Sequence, residues 1–456
     1  MQRERICHIR LTFDGMSTII SLDERSGEMV KAGEIYTSEI IDTTVLGMGF
    51  TTVNGFAVFV RGAVEGDVCS YEITEVRQNY AAAECCETVE MSRYRCDSDC
   101  PAFPECGGCV HRGITLPYEN KIKASAVNAA LRKVGIGDVP VREILTPDCG
   151  GERYRNKAIY HFDSGRNCGF YSHRTCRVIP ISSECCRCVP KIFSDIAYES
   201  ALYMKSHSEL EPEELMLRIS TGGDVVAALT LRRGECTGYS EHIRSRFPAV
   251  TGVVARIGKG DYKTVSGDGY INSELLGISF GISPEAFFQV NYAGAELLLG
   301  IVISACAEYG VKHGTDLYCG TGVIGIALAH AMPKSGFVGV EQNSSAVSDA
   351  IRNAQRCGLD NISFRCGDAA KLISRGDFDL AVVDPPRRGL SRRALGELVT
   401  LAPERIVYIS CNPQTLARDL AGLTDAGYNP LWIQPINMFP RTEHVECVTL
   451  LLRNAE

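Results

Sequence analysis

The chain has 456 residues, 45% of them hydrophobic, and a net charge of −8. Length and apolar content allow two or three folded domains and rule out a disordered chain. No apolar run reaches the length of a membrane span, residues 1–10 lack the apolar core of a secretion signal, and the acidic balance speaks against binding nucleic acid by bulk charge. A cytoplasmic protein is expected, monomeric by default, with any anionic partner met by local patches such as 153–157 or Arg387, Arg388, Arg392 and Arg393. The 21 cysteines, without an export signal, read as reduced thiols, metal ligands or nucleophiles rather than disulfides.

Residues 1–33 form a short strand-rich extension. In 34–92, segments 38–42, 55–60, 67–76 and 81–89 read as short strands punctuated by glycines, the pattern of a small OB-like β-barrel, a fold that often binds single strands. Residues 93–282 are mixed α+β: a cysteine cluster, a helix over 116–134, then strands at 217–220, 225–231, 253–257 and 275–280. Over 283–456, strands at 315–318, 336–340, 362–366, 380–383, 406–409, 430–434 and 446–452 alternate with helices such as 344–357 and 413–427. This predicts an α/β domain with a doubly wound, Rossmann-like sheet.

The chemistry-bearing motifs lie in that last part. Gly320, Gly322 and Gly325 follow a strand and open a helix, and Glu341 ends the next strand, where an acid meets ribose hydroxyls. The spacing suits an adenosine-containing ligand, either a dinucleotide or S-adenosylmethionine; Asp316 before the glycines and Gly367-Asp368 after the third strand favour the methyl donor. Asp384-Pro385-Pro386-Arg387-Arg388-Gly389 follows the apolar strand at 380–383, and Ser410-Cys411-Asn412-Pro413 follows the next one. Both belong at the carboxyl edge of the sheet, where ligands bind. Cys411 sits at a strand end and a helix start, where backbone N–H groups and the helix dipole favour a thiolate nucleophile. Alternation places His444 and Glu446 on one side of the last strand. Upstream, Cys100, Cys106 and Cys109 are close enough in sequence to hold a metal.

Taken together, the run Ser283 to Asn291 with Phe287 and Gln289, the glycine loop with Tyr318, Asp384 to Gly389, Ser410 to Pro413 and His444 to Glu446 resemble the RNA uracil-5-methyltransferase family from residue 33 onward. The resemblance implies that 34–92 is similar to that family's TRAM domain, an RNA-binding barrel, and that 283–456 is the methyltransferase domain. It implies Cys411 as nucleophile, Glu446 as base, and Gln289, Tyr318, Gly320, Gly322, Glu341, Asp368 and Asp384 around S-adenosylmethionine and the uracil, with Phe287 stacking on a base. It also implies a 4Fe–4S cluster on Cys100, Cys106, Cys109 and a fourth cysteine, Cys185 by position, with Cys186 and Cys188 competing and zinc as the chemical alternative. The implied partner is RNA, large-subunit ribosomal RNA ahead of transfer RNA. Two rivals are a dinucleotide-dependent iron–sulfur oxidoreductase, which leaves the Asp384 and Cys411 loops unexplained, and an N-methyltransferase, which needs no cysteine.

Overall fold

The computed structural model describes residues 6–13, 16–23, 30–173, 175–182, 186–369 and 377–454. Among these the chain forms five sheets. Ile6–Phe13 pairs antiparallel with Met16–Asp23. A six-stranded half-barrel follows, in the order Ile35–Glu39, Val68–Val76, Ala81–Glu90, Phe56–Arg61, Met48–Val53, Asp42–Thr43. Val58, Val60, Tyr71 and Ile73 fill its core. Met48–Val53 is absent from the sequence expectation: it is buried on both faces apart from Thr52, so it lacks the alternation that marks a half-exposed strand.

The central sheet has seven strands, Val178–Pro180, Cys168–Tyr171, Lys157–Phe162, Glu211–Ile219, Val225–Arg233, Val250–Ile257 and Lys263–Gly267. Helices Lys191–Ser206 and Thr237–Arg246 pack on one face through Phe193, Ile196, Tyr239 and Ile243. The expected strand over 275–280 is instead a hairpin, Ile271–Leu275 against Ile278–Ile282. Leu276 and Gly277 both take positive φ, 51° and 77°, which is the two-residue reversal antiparallel strands favour.

The third large sheet runs Ile362–Cys366, Gly336–Glu341, His313–Leu317, Leu380–Val383, Arg405–Ser410, Glu446–Arg453, Tyr428–Ile436. The first five are parallel; Glu446–Arg453 is antiparallel to both its neighbours, so Tyr428–Ile436 runs in the direction of the first five. This is the doubly wound sheet expected. Leu380–Val383 is apolar and buried throughout, as a central parallel strand must be. One face packs on helices Tyr292–Ala307 and Val323–Ala331 and on the 271–282 hairpin. The other packs on Arg392–Leu401 and Pro413–Asp425, and also on Leu116–Lys133, whose Val127, Ala130 and Leu131 join that core. Chain order reverses between His313–Leu317 and Leu380–Val383, and the crevice at their carboxyl ends is where such folds take ligands.

Candidate active site

The glycine loop leaves the strand at Leu317. Tyr318, Gly320 and Gly322 all have positive φ, 65°, 53° and 80°. At Gly322 a Cβ would come within 2.8 Å of Phe364 and 2.9 Å of Ala350, so only glycine fits. At Gly320 it would meet nothing within 4 Å, so that side of the loop is open. Asp316 lies beneath, fully buried; Oδ2 accepts from the Gly325 N–H at 2.8 Å and Oδ1 has no partner. Burial, with Asp384 and Glu341 nearby, pushes its carboxyl up to about 8 against the pull of Gly325. Glu341 reaches back to the loop, where Oε2 accepts from Gly320 N–H at 3.2 Å. Gly367 N–H donates to the Glu341 carbonyl at 2.8 Å, which brings the exposed Asp368 to the same rim. Asp368 bears on the Tyr318 phenol, whose pKa is raised chiefly by burial.

Across the switch point stands the 384–389 loop. Burial pushes Asp384 up to about 7. The loop is tied to the Cys411 turn: Asn412 Nδ2 and Thr415 Oγ1 donate to the Arg387 carbonyl at 3.0 and 3.2 Å, and Arg418 donates to the carbonyls of Arg388 and Leu390, both at 3.0 Å. Asn412 caps the helix Pro413–Asp425 by accepting from Gln414 N–H, with proline at its first turn. Cys411 is therefore held at the strand-to-helix turn, as the sequence predicts. Its thiol is not lowered, however. Burial first, then the neighbouring Glu446, push it up to about 11, and Arg387 only partly opposes them. The expected helix-dipole activation is outweighed here by desolvation and a like charge.

Glu446 is 4% exposed and opens the strand that pairs with Arg405–Ser410, where Ser410 faces Cys447. Its carboxyl is raised well above the usual range, by burial and by Asp384, with Arg387 opposing. The Arg387 guanidinium donates to His444 Nδ1 at 2.8 Å. Burial pushes that imidazole down to about 4, so it stays neutral and accepts. Arg387 thus faces the Cys411, His444 and Glu446 groups together, a link that sequence spacing alone does not reveal.

Phe287 is 68% exposed beside the glycine loop, its carbonyl accepting from Thr321 Oγ1 at 3.2 Å, whereas Phe288 is buried. The Gln289 carbonyl accepts from Asn156 Nδ2 at 2.9 Å, and Asn156 N–H donates to the Val290 carbonyl at 2.7 Å. In the 153–157 run Arg153 is exposed and Arg155 and Lys157 are half-buried, while Tyr154 and Asn156 are buried and the segment buttresses the 289–291 loop. Arg387, Arg388, Arg392 and Arg393 are exposed, as a patch requires.

The cysteines expected to hold a metal lie about a cavity of about 340 Å³ lined by Cys100, Cys106, Cys109, Cys186 and Cys188 together with Arg112, Arg155 and Lys157. Cys109 and Cys188 sulfurs are 3.4 Å apart, and Arg112 donates to Cys188 at 3.7 Å. Cys185 lies outside the described residues, and among the described residues no three metal-ligating side chains converge on one point.

A family model described as a methyltransferase domain matches residues 313–422. An uncharacterised RNA methyltransferase of Bacillus cereus is 32% identical, covering 90% of this chain and 95% of its own. Another, from Caldanaerobacter subterraneus, is 33% identical over 92% and 99%. The chain belongs to this RNA methyltransferase family. The RNA methyltransferase also shares its fold with the Pyrococcus abyssi tRNA (uracil-54, C5)-methyltransferase solved with S-adenosyl-L-homocysteine: TM-score 0.75 at 23% identity, over 91% of this chain and 100% of that one. Family membership sets the oxidoreductase rival aside. No helix among the described residues is long and apolar enough to cross a membrane.

Proposed function

We propose that this RNA methyltransferase carries a methyl group from S-adenosylmethionine to C5 of a uridine, through a covalent bond between Cys411 and uracil C6. The observation that carries the reading is the meeting of Cys411 and Glu446 with the Asp384 loop at one end of the sheet, opposite an open glycine loop. In this reading Gly320 and Gly322 let the donor approach the backbone, Glu341 accepts from its ribose, and Tyr318, Asp368, Gln289 and Asp384 enclose donor and uracil. Phe287 offers an exposed ring to a base.

Uracil C5 is too weak a nucleophile to take a sulfonium methyl unaided. The thiol proton leaves to solvent, the Cys411 sulfur bonds to C6, and the ring electrons move to C5 as an enolate. C5 then attacks the methyl, and the donor departs as S-adenosylhomocysteine. The Glu446 carboxylate takes the C5 proton, C5=C6 re-forms, and the Cys411–C6 bond breaks to return the thiolate. A carboxylate whose proton affinity is raised is the stronger base for that last step. The uracil must leave its stack to reach the crevice, which favours a looped or single-stranded target.

Large-subunit ribosomal RNA is the proposed substrate. Transfer RNA is the second reading, favoured by the Pyrococcus neighbour. Nucleoside mass spectrometry after incubation with the donor and each unmodified RNA tests both. New 5-methyluridine is expected in ribosomal RNA and is abolished in Cys411→Ala; retention by that variant refutes the covalent scheme, and product in transfer RNA alone selects the second reading.

A 4Fe–4S cluster on Cys100, Cys106, Cys109 and one thiolate of 185–188 belongs to the same proposal. Cys100, Cys106, Cys109, Cys186 and Cys188 share a cavity with Arg112, Arg155 and Lys157, cations that would offset a cluster's negative charge. The cluster would supply a rigid cross-link; the methyl transfer needs no redox step.

A further inference from the structure

A buried ion pair outside the chemistry rests against the segment that delivers Glu446. Glu119 and Lys123 stand one turn apart on the helix Leu116–Lys133, and both side chains are fully buried. Lys123 Nζ donates to Glu119 Oε1 at 2.7 Å, to Asn437 Oδ1 at 2.7 Å and to the Phe439 carbonyl at 3.1 Å. Glu119 Oε1 in turn accepts from Asn437 Nδ2 at 3.0 Å and from the Arg441 N–H at 2.9 Å. The pair therefore grips the 437–441 segment at three residues.

The position of that segment gives the grip a purpose. Asn437 directly follows Ile436, the cross-strand partner of Glu446. From the other side, Val110 and His111, just past Cys109, donate their N–H groups to the Arg441 carbonyl at 2.8 and 3.0 Å, and Tyr154 OH donates to the Pro440 carbonyl at 2.9 Å. Arg441 is held at φ 71° between these partners. The chain then runs through Thr442, whose Oγ1 accepts from His444 N–H at 3.3 Å, to Glu446. Burying two charges is costly, and an apolar pair would stabilise the helix at least as well; what an apolar pair lacks is directional bonds to the loop.

We propose that Glu119 and Lys123 are positioning residues for Glu446. They hold 437–441 in the conformation that aims the carboxylate at the C5 proton, so their effect falls on the release of the methylated uracil and not on the formation of the Cys411 adduct. The inference rests on the reading of Glu446 as base.

The test uses the full chain with RNA and S-adenosylmethionine, following the protein–RNA adduct on denaturing gels and 5-methyluridine by mass spectrometry. The double variant Glu119→Leu/Lys123→Leu removes both charges together; the Arg441 guanidinium, 3.9 Å from Glu119 Oε2, keeps its bond to the Ile114 carbonyl. Asn437→Leu keeps the ion pair and removes its side-chain hold at the first of the three gripped residues, which covers the case of a double variant that does not fold. Either folded variant should form adduct at the native rate and resolve it roughly tenfold to a hundredfold more slowly, a part of the roughly 10²–10⁴-fold that a positioned base contributes in full. Glu446→Gln is the reference and should trap the same adduct. Native resolution in both variants, or formation and resolution slowed equally, overturns the inference. Normal turnover in Glu446→Gln instead removes the reading of the base itself, and the inference with it, and is a separate result.

Discussion

Cys411 is a buried thiol pushed up to about 11, and in the proposed scheme its thiolate is the nucleophile. Below that value the reactive fraction grows about tenfold per pH unit. The rate of adduct formation at saturating RNA should therefore climb from about pH 7 toward about pH 10; a flat profile would mean that thiol ionisation does not limit addition. Asp316 gives a stability counterpart. Its folded value of about 8 stands above the ordinary 3.8, so between about pH 4 and pH 8 the native state keeps a proton that the unfolded chain has lost. Stability must fall as pH rises through that window. Asp384 and Glu446 add slopes of the same sign. Asp316→Asn should melt with a shallower pH dependence than the native protein, with the two curves drawing together below about pH 4; parallel curves would place the proton elsewhere. Both residues are visible in the sequence, from a strand, a turn and the start of a helix. Their proton affinities are not, because these are set by burial and by groups such as Asp384, Arg387 and Glu446 that the fold brings in from elsewhere.

At the scale of elements, the parallel strands and their following helices were legible to within a few residues, because long apolar runs and Asn caps at Asn343 and Asn412 mark them locally. The 271–282 hairpin was not. Its turn uses Leu276 at positive φ, where a sequence reader looks for Asn or Asp ahead of the glycine. The 287–291 loop combines both cases. Phe287 and Gln289 stand out as residues, but the support of Gln289 by Asn156 joins two regions far apart in the chain. Because the Phe287 ring is exposed and the bond to Thr321 is made by its carbonyl, Phe287→Ala should leave donor affinity and melting unchanged. It should weaken RNA binding by about 1–3 kcal/mol, the usual worth of a base stacked on an aromatic ring. Binding titrations with RNA and with donor separate the two; equal loss of both would mean the ring shapes the donor pocket.

Across the whole molecule, contacts cross the boundaries that composition suggests. The helix Leu116–Lys133 lies in sequence beside the cysteines, yet it covers one face of the methyltransferase sheet. The residues after Cys109 bond directly to the loop before Glu446. Only long-range packing brings these together, so no local pattern could announce it. If a metal cluster stiffens the cysteine loop, Cys109→Ser should lose iron, sulfide and visible absorption together and melt earlier than the native protein. Full iron content in that variant would remove Cys109 from the ligand set.

The strand Glu446–Arg453 runs against every other strand of the large sheet. In an all-parallel sheet the start of one strand lies at the rim opposite the end of its neighbour, so a group that opens a strand could never face a group that closes the next. Reversal of direction brings Glu446, the first residue of its strand, to the turn where Cys411 leaves its own. The thiol turn is thus made before its partner can exist: during synthesis Cys411 is in place first, and it remains without Glu446 until a later stretch of chain has turned back and zipped along the sheet.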